Sequence, residues 1–276
     1  MFSITYFNYL VKSNFKFLVA FTLILCAFLT VICNVFTPET ISGISNSTQG
    51  TIASNILTGN GTLVGFMSNS FYALMAIVFP MVYSILVANR MIAQKVDTGS
   101  MASFLSTPMS RYKLAITSAA YLILSLVVMW AVASIVGIVA ANTFQPDALD
   151  IDTFLMLNLG VFLYHFAISS ISFCASCIFN TSKNSLIIGG GLPLMFFVIS
   201  LLMKIDDSLE FLEYFTLNTL FDPANIVNNS GYSQEFMIMA LIGIILYIIG
   251  ILVFQRKTKI PIMYNIIPIK AIIINS

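Results

Sequence analysis

The residues able to do chemistry are few, and most have nothing nearby to act with. His165 is the only histidine in 276 residues, and it lies in a stretch, 154–179, without Asp, Glu, Lys or Arg. A lone imidazole in an apolar segment has no ionised partner for proton relay, so it reads as neutral and hydrogen-bonded. The four cysteines are Cys26, Cys33, Cys174 and Cys177. Cys174 and Cys177 stand about one helical turn apart, but a zinc site needs more ligands and a polar shell around them. They read as small packing residues, and no metal site is expected. Hydrolytic or transfer chemistry needs a nucleophile with a base, or a metal cluster. One histidine and no carboxylate in the apolar segments supply neither, so no catalytic residue is expected.

The surrounding composition explains this scarcity. Hydrophobic residues make up 59% of the chain and charged residues 8%, with a mean hydropathy of +0.97. A soluble domain carries about 25% charged residues, so a soluble globular protein and a disordered chain are both excluded. Six apolar windows, 17–36, 66–88, 114–141, 154–179, 186–203 and 236–254, hold no Asp, Glu, Lys or Arg. A bilayer crossing takes about 20 such residues as a helix. The runs do not alternate, so a β-barrel does not fit. The expected fold is an all-α membrane protein with six transmembrane helices.

An even number of crossings puts both termini on one side. That side holds Lys12, Lys16, Arg90, Lys95, Arg111, Lys113, Lys183, Arg256, Lys257, Lys259 and Lys270, while Lys204 alone falls on the other. Basic residues in short loops stay cytoplasmic, so both termini are expected there. The acids segregate the opposite way, with only Asp97 inside.

The chain divides into an amphipathic interfacial helix (1–16), a six-span transmembrane domain (17–259) and a Pro-interrupted, Ile-rich C-terminal tail (260–276). Residues 204–235 mix acids with Phe and Leu and predict short helices dipping back into the outer leaflet. Pro80 and Pro193 should bend their helices, and Gly189, Gly190 and Gly191 beside Pro193 read as close packing rather than a hinge. Phe71, Met75 and Phe79 on the second span, with Met195 and Phe196 on the fifth, are candidates to line a cavity for apolar or amphipathic cargo.

The inner loop between spans two and three carries the most information. Arg90 and Gln94 lie one helical turn apart. Gly99 permits a break, after which Met101, Phe104 and Leu105 give a short helix an apolar face. Pro108 stops it, Ser110 caps the third span, and Arg111 sits at its mouth. Such a helix, with Phe and Leu exposed, fits docking of a cytoplasmic partner and a helix floating in the headgroups equally well.

At these residues the sequence resembles the ABC-2 type transporter permeases. Their loop runs basic residue, acid, Gly-Ser/Thr, an apolar pair, Pro, two residues, Arg. Here that is Arg90, Gln94, Gly99-Ser100, Phe104-Leu105, Pro108 and Arg111, with Gln94 in place of the acid. The resemblance extends to the whole plan and implies an ABC-2 (type V exporter-like) permease architecture in the bacterial cell membrane. It implies a half-permease pairing with a second copy, as a homo- or heterodimer. A separate cytoplasmic ATP-binding-cassette ATPase would grip the loop as a coupling helix. The chain has no Gly-rich loop ending in Gly-Lys-Ser/Thr, so ATP and Mg would belong to that partner and the chain is not itself an enzyme. Its size and single set of spans look similar to bacterial peptide exporters, including exporters of phenol-soluble modulins. Membrane lipid is the other expected partner, and nucleic acid is not one. The alternatives are an ion-coupled secondary transporter, which charge-free spans disfavour, and a membrane anchor for a partner protein.

Overall fold

The computed structural model describes residues 2–35, 62–106, 109–203, 211–213 and 216–257. Among these every regular element is helical: α1 (Ile4–Val35), α2 (Leu63–Met67), a π-helical stretch (Ser68–Met75), α3 (Ala76–Met91), α4 (Ala93–Asp97), α5 (Met101–Leu105), α6 (Arg111–Phe144), α7 (Ile151–Ile178), α8 (Ser182–Met203), a 3₁₀ turn (Leu217–Leu220), α9 (Pro223–Val227) and α10 (Ser233–Arg256). Six are long and apolar enough to cross a membrane: α1, the run 63–97, α6, α7, α8 and α10. Each expected window coincides with one of them: four lie wholly inside, 154–179 overruns α7 by one residue, and the last residue of 17–36 lies outside the described residues.

The expected interfacial helix differs in one respect. It is continuous with the first span, because no Pro or Gly separates residues 4 and 35. The tail 260–276 lies outside the described residues.

Helix starts follow from local chemistry. The Ser110 hydroxyl accepts the Lys113 amide at 3.3 Å, as expected for the cap of α6. The Asp150 carboxylate accepts the amides of Asp152 and Thr153 and begins α7. The Thr153 hydroxyl, donating at 2.6 Å, and these amides hold that carboxyl below its usual range. Asp222 caps α9 with Pro223 at its first position.

The centre of the bundle is α7. It packs on α10, α3, α8 and α6, while α1 lies along α6 and α3. In its most apolar window 72% of residues are buried, against 17% for α1 and α8 and 22% for α10. The last three therefore turn apolar surface outward, which water would not tolerate and a bilayer does. Polar contacts gather the basic loops at one end. Ser3 N donates to Thr117 Oγ1 at 3.3 Å, Ser182 N to Asp97 Oδ2 at 3.0 Å, and Lys257 Nζ to Asn180 Oδ1 at 2.8 Å. Arg111 donates to the Lys257 carbonyl. Residues 3 and 257 thus meet at the same end, as six crossings require.

Candidate functional site

Two helices that carry an internal proline flank α7, and α7 supplies the hydrogen-bond donor missing from each. Pro80 has no N–H to give the Ala76 carbonyl one turn earlier. His165 on α7 takes that place, its Nε2 lying 2.8 Å from Ala76 O. A carbonyl only accepts, so Nε2 carries the proton and the imidazole can remain neutral with Nδ1 unprotonated. Trp130 stacks on the ring at 5.9 Å and Tyr164 meets it edge-on at 5.1 Å. Pro193 likewise leaves the Gly189 carbonyl without its helical donor, and Ser172, also on α7, donates to it at 2.6 Å. His165 and Ser172 are seven residues apart, two turns along one face.

The glycines before Pro193 make this contact possible. A Cβ at Gly189 would stand 2.9 Å from Ala175 Cβ and 3.1 Å from Ser172 Cα. The close approach agrees with the packing reading. Cys174 and Cys177 are both buried in α7 as well.

The π-helical stretch precedes Ala76, so the second span is irregular from Ser68 to Met75, just before the turn that holds Pro80. Beside it opens a cavity of about 580 Å³ at the acidic end. Ala73 and Ile77 line it from the second span, and Ser200 and Met203 from α8. Asn218 and Asp222 close it from the segment before α10. That segment is pinned in place: Tyr164 Oη donates to Asn218 Oδ1 at 2.5 Å, Asn218 Nδ2 donates to Ser200 Oγ at 3.0 Å, and Thr216 Oγ1 donates to the Phe196 carbonyl at 3.1 Å. The short helices expected in 204–235 are present at 217–220 and 223–227; residues 204–210 and 214–215 lie outside the described residues.

The five residues singled out for a cavity do not line this one. Phe71 is wholly buried against Tyr72, and Phe79 packs on Phe28 at 5.8 Å. Met75 and Phe196 are partly buried, and Met195 is exposed on α8. The second and fifth spans do meet at the cavity, one turn or so away from the residues named.

The inner loop is braced rather than free. Gly99 has φ +73° over open space and turns the chain from α4 into α5. Met101 is buried. Phe104, expected to be exposed for docking, instead stands edge-on to Tyr6 at 5.4 Å and tilted on Tyr9 at 5.4 Å. Both tyrosines belong to α1. Into this aromatic corner reaches Lys95 of α4, its Nζ 5.0, 4.6 and 4.8 Å from the rings of Tyr6, Tyr9 and Phe104. Nζ also donates to Tyr6 Oη at 3.3 Å. The faces of α5 left to solvent carry Ala102, Ser103 and Ser106.

Gln94 is exposed and Arg90 lies 5.1 Å over the Phe17 ring. Arg111 reaches the far end of α10 through Lys257. Pro108 and the Leu105 side chain lie outside the described residues. The sequence does not announce the box around Lys95, because Lys95 and Phe104 lie 86 to 98 residues from Tyr6 and Tyr9; the signal is only that Tyr6 and Tyr9 share a face of the amphipathic segment.

Among the described residues, an all-helical bundle with six bilayer-length apolar helices defines a multi-pass membrane protein. Residues 11–259 match the family described as ABC-2 family transporter protein, and the chain belongs to that family. It is therefore a permease subunit of an ATP-binding-cassette transporter, a membrane transport component whose family implies association with an ATPase component. No curated protein and no solved structure matches the chain.

Proposed function

We propose that the chain is the membrane half of an exporter in the bacterial plasma membrane, moving an apolar or amphipathic cargo such as a peptide or lipid-like molecule. Both termini and the α4–α5 loop face the cytoplasm, where a separate ATPase binds ATP and Mg. The observation that carries this reading is the aromatic box that ties α5 to α1 through Lys95. A short helix buried on one side and open on the other transmits a push from a partner as a rigid unit. A loop floating in the headgroups would need no such anchoring. The docking surface is then the Ala102–Ser103–Ser106 face rather than Phe104. The outward apolar surfaces of α1 and α8 support pairing with a second permease copy.

The test is co-purification of the full chain with its ATPase from gentle detergent, followed by cargo-stimulated ATP hydrolysis. Ala102→Asp combined with Ser103→Asp should abolish ATPase association while insertion stays intact. Undiminished association would overturn the docking assignment. A chain that never brings down an ATPase would overturn the exporter reading.

A further inference from the structure

A second pocket, about 260 Å³, lies at the basic end between α1 and the turn from α3 into α4. Tyr9 and Ser13 line one wall and Arg90, Gln94 and Lys95 another. Two of these side chains are cations, and among the described lining residues none is acidic. Their present neighbours leave that charge in place: Arg90 lies over Phe17 and Lys95 among three rings, and aromatic faces attract a cation without cancelling it. Asp97, the acid nearest in sequence, is turned away to the Ser182 amide at 3.0 Å. Position 94 on the pocket wall holds Gln, a neutral side chain. The Ser13 hydroxyl lines the same pocket and is a group able to donate.

The location selects the anion. The apolar run 17–36 begins and the run 66–88 ends beside this pocket, so it sits at the level of the headgroups. Tyr9, Phe15 and Phe17 are exposed on the same helix, and Lys12 and Lys16 are exposed between them. A soluble anion needs no such flank; a phospholipid does, with acyl chains along the aromatic rings and phosphate at the cations.

We propose that this pocket binds the phosphate of an anionic membrane phospholipid, with Arg90 and Lys95 as counter-charges and Ser13 as a hydroxyl donor. The lipid bridges α1 to the α3–α4 turn and so steadies the corner that holds α5. The assignment needs only that the chain spans a bilayer, and stands apart from the ATPase-docking reading.

The test uses the full chain reconstituted in nanodiscs of phosphatidylcholine with a minor fraction of phosphatidylglycerol, and native mass spectrometry to count retained lipid. Phosphatidylglycerol should be retained in preference to phosphatidylcholine. Arg90→Gln should weaken that preference about fivefold, the factor expected for one basic group at an anionic surface. Gln94→Glu, which supplies a carboxylate without removing packing, should weaken it comparably. Lys113→Gln, at the same end but outside the pocket, should not. Equal retention of both lipids, unchanged retention in the two pocket variants, or an equal loss in Lys113→Gln overturns the site. Displacement by millimolar inorganic phosphate overturns the lipid in favour of a free anion. Loss of ATPase binding in Gln94→Glu with lipid retention unchanged overturns it in favour of a partner carboxylate.

Discussion

His165 is the residue most open to misreading, since a single imidazole inside a membrane invites a role in proton movement. Its geometry assigns a smaller task. It donates to the Ala76 carbonyl that Pro80 leaves without a partner, and in hydrocarbon that carbonyl has no water to turn to. His165→Leu should therefore lower stability by about 1–2 kcal/mol, read as a lower thermal midpoint in detergent. His165→Gln, which keeps a donor but cannot relay protons, should recover most of the stability and retain transport. Transport lost in His165→Gln despite recovered stability would restore a proton-handling role. Ser172→Ala removes the matching bond to Gly189, and the two substitutions should act additively because their sites are separate turns.

At the scale of elements, α7 is the strut and its neighbours are shaped to reach it. Gly189→Val drives a branched side chain into Ala175 and Ser172, which should cost about 1–3 kcal/mol as overpacking and reduce the yield of folded protein. Gly191→Ala meets nothing within 4 Å and should be nearly silent in the same assay. If both behaved alike, the three glycines would be a flexible hinge rather than a contact surface. The sequence made much of this legible. Charge-free runs located all six spans, Ser110 announced the start of α6, and Pro80 and Pro193 marked the two carbonyls, Ala76 and Gly189, that α7 side chains reach. What it concealed were contacts across long separations. Asn218 looks like any loop residue until Tyr164 and Ser200 are seen to hold it. Phe104 has the periodicity of an exposed apolar face, yet α1 occupies that face. Hydrophobic spacing reports that a side chain will be covered, not by what.

For the whole molecule, the segregation of charge becomes an argument about sidedness and energy input. Ser3, Asp97, Arg111, Ser182 and Lys257 converge at the basic end, while a cavity opens among Glu213, Asp222 and Asn225 at the other. If ATP-driven force enters at α5, it reaches that cavity through the second span, which contains the π-helical stretch, and through α7, which holds both proline-containing helices. Sidedness is the premise of this route. Single cysteines at Ser100→Cys and Ala148→Cys, both exposed positions, should label from opposite faces: residue 100 only after the membrane is made permeable and residue 148 in intact cells. The reverse pattern would put the docking helix outside, beyond any ATP. With sidedness established, Ile77→Trp should narrow the cavity at the acidic end and slow cargo release while the ATPase remains bound at the far end. Export undiminished by that substitution would show that cargo leaves by another path, such as the surface between two permease copies.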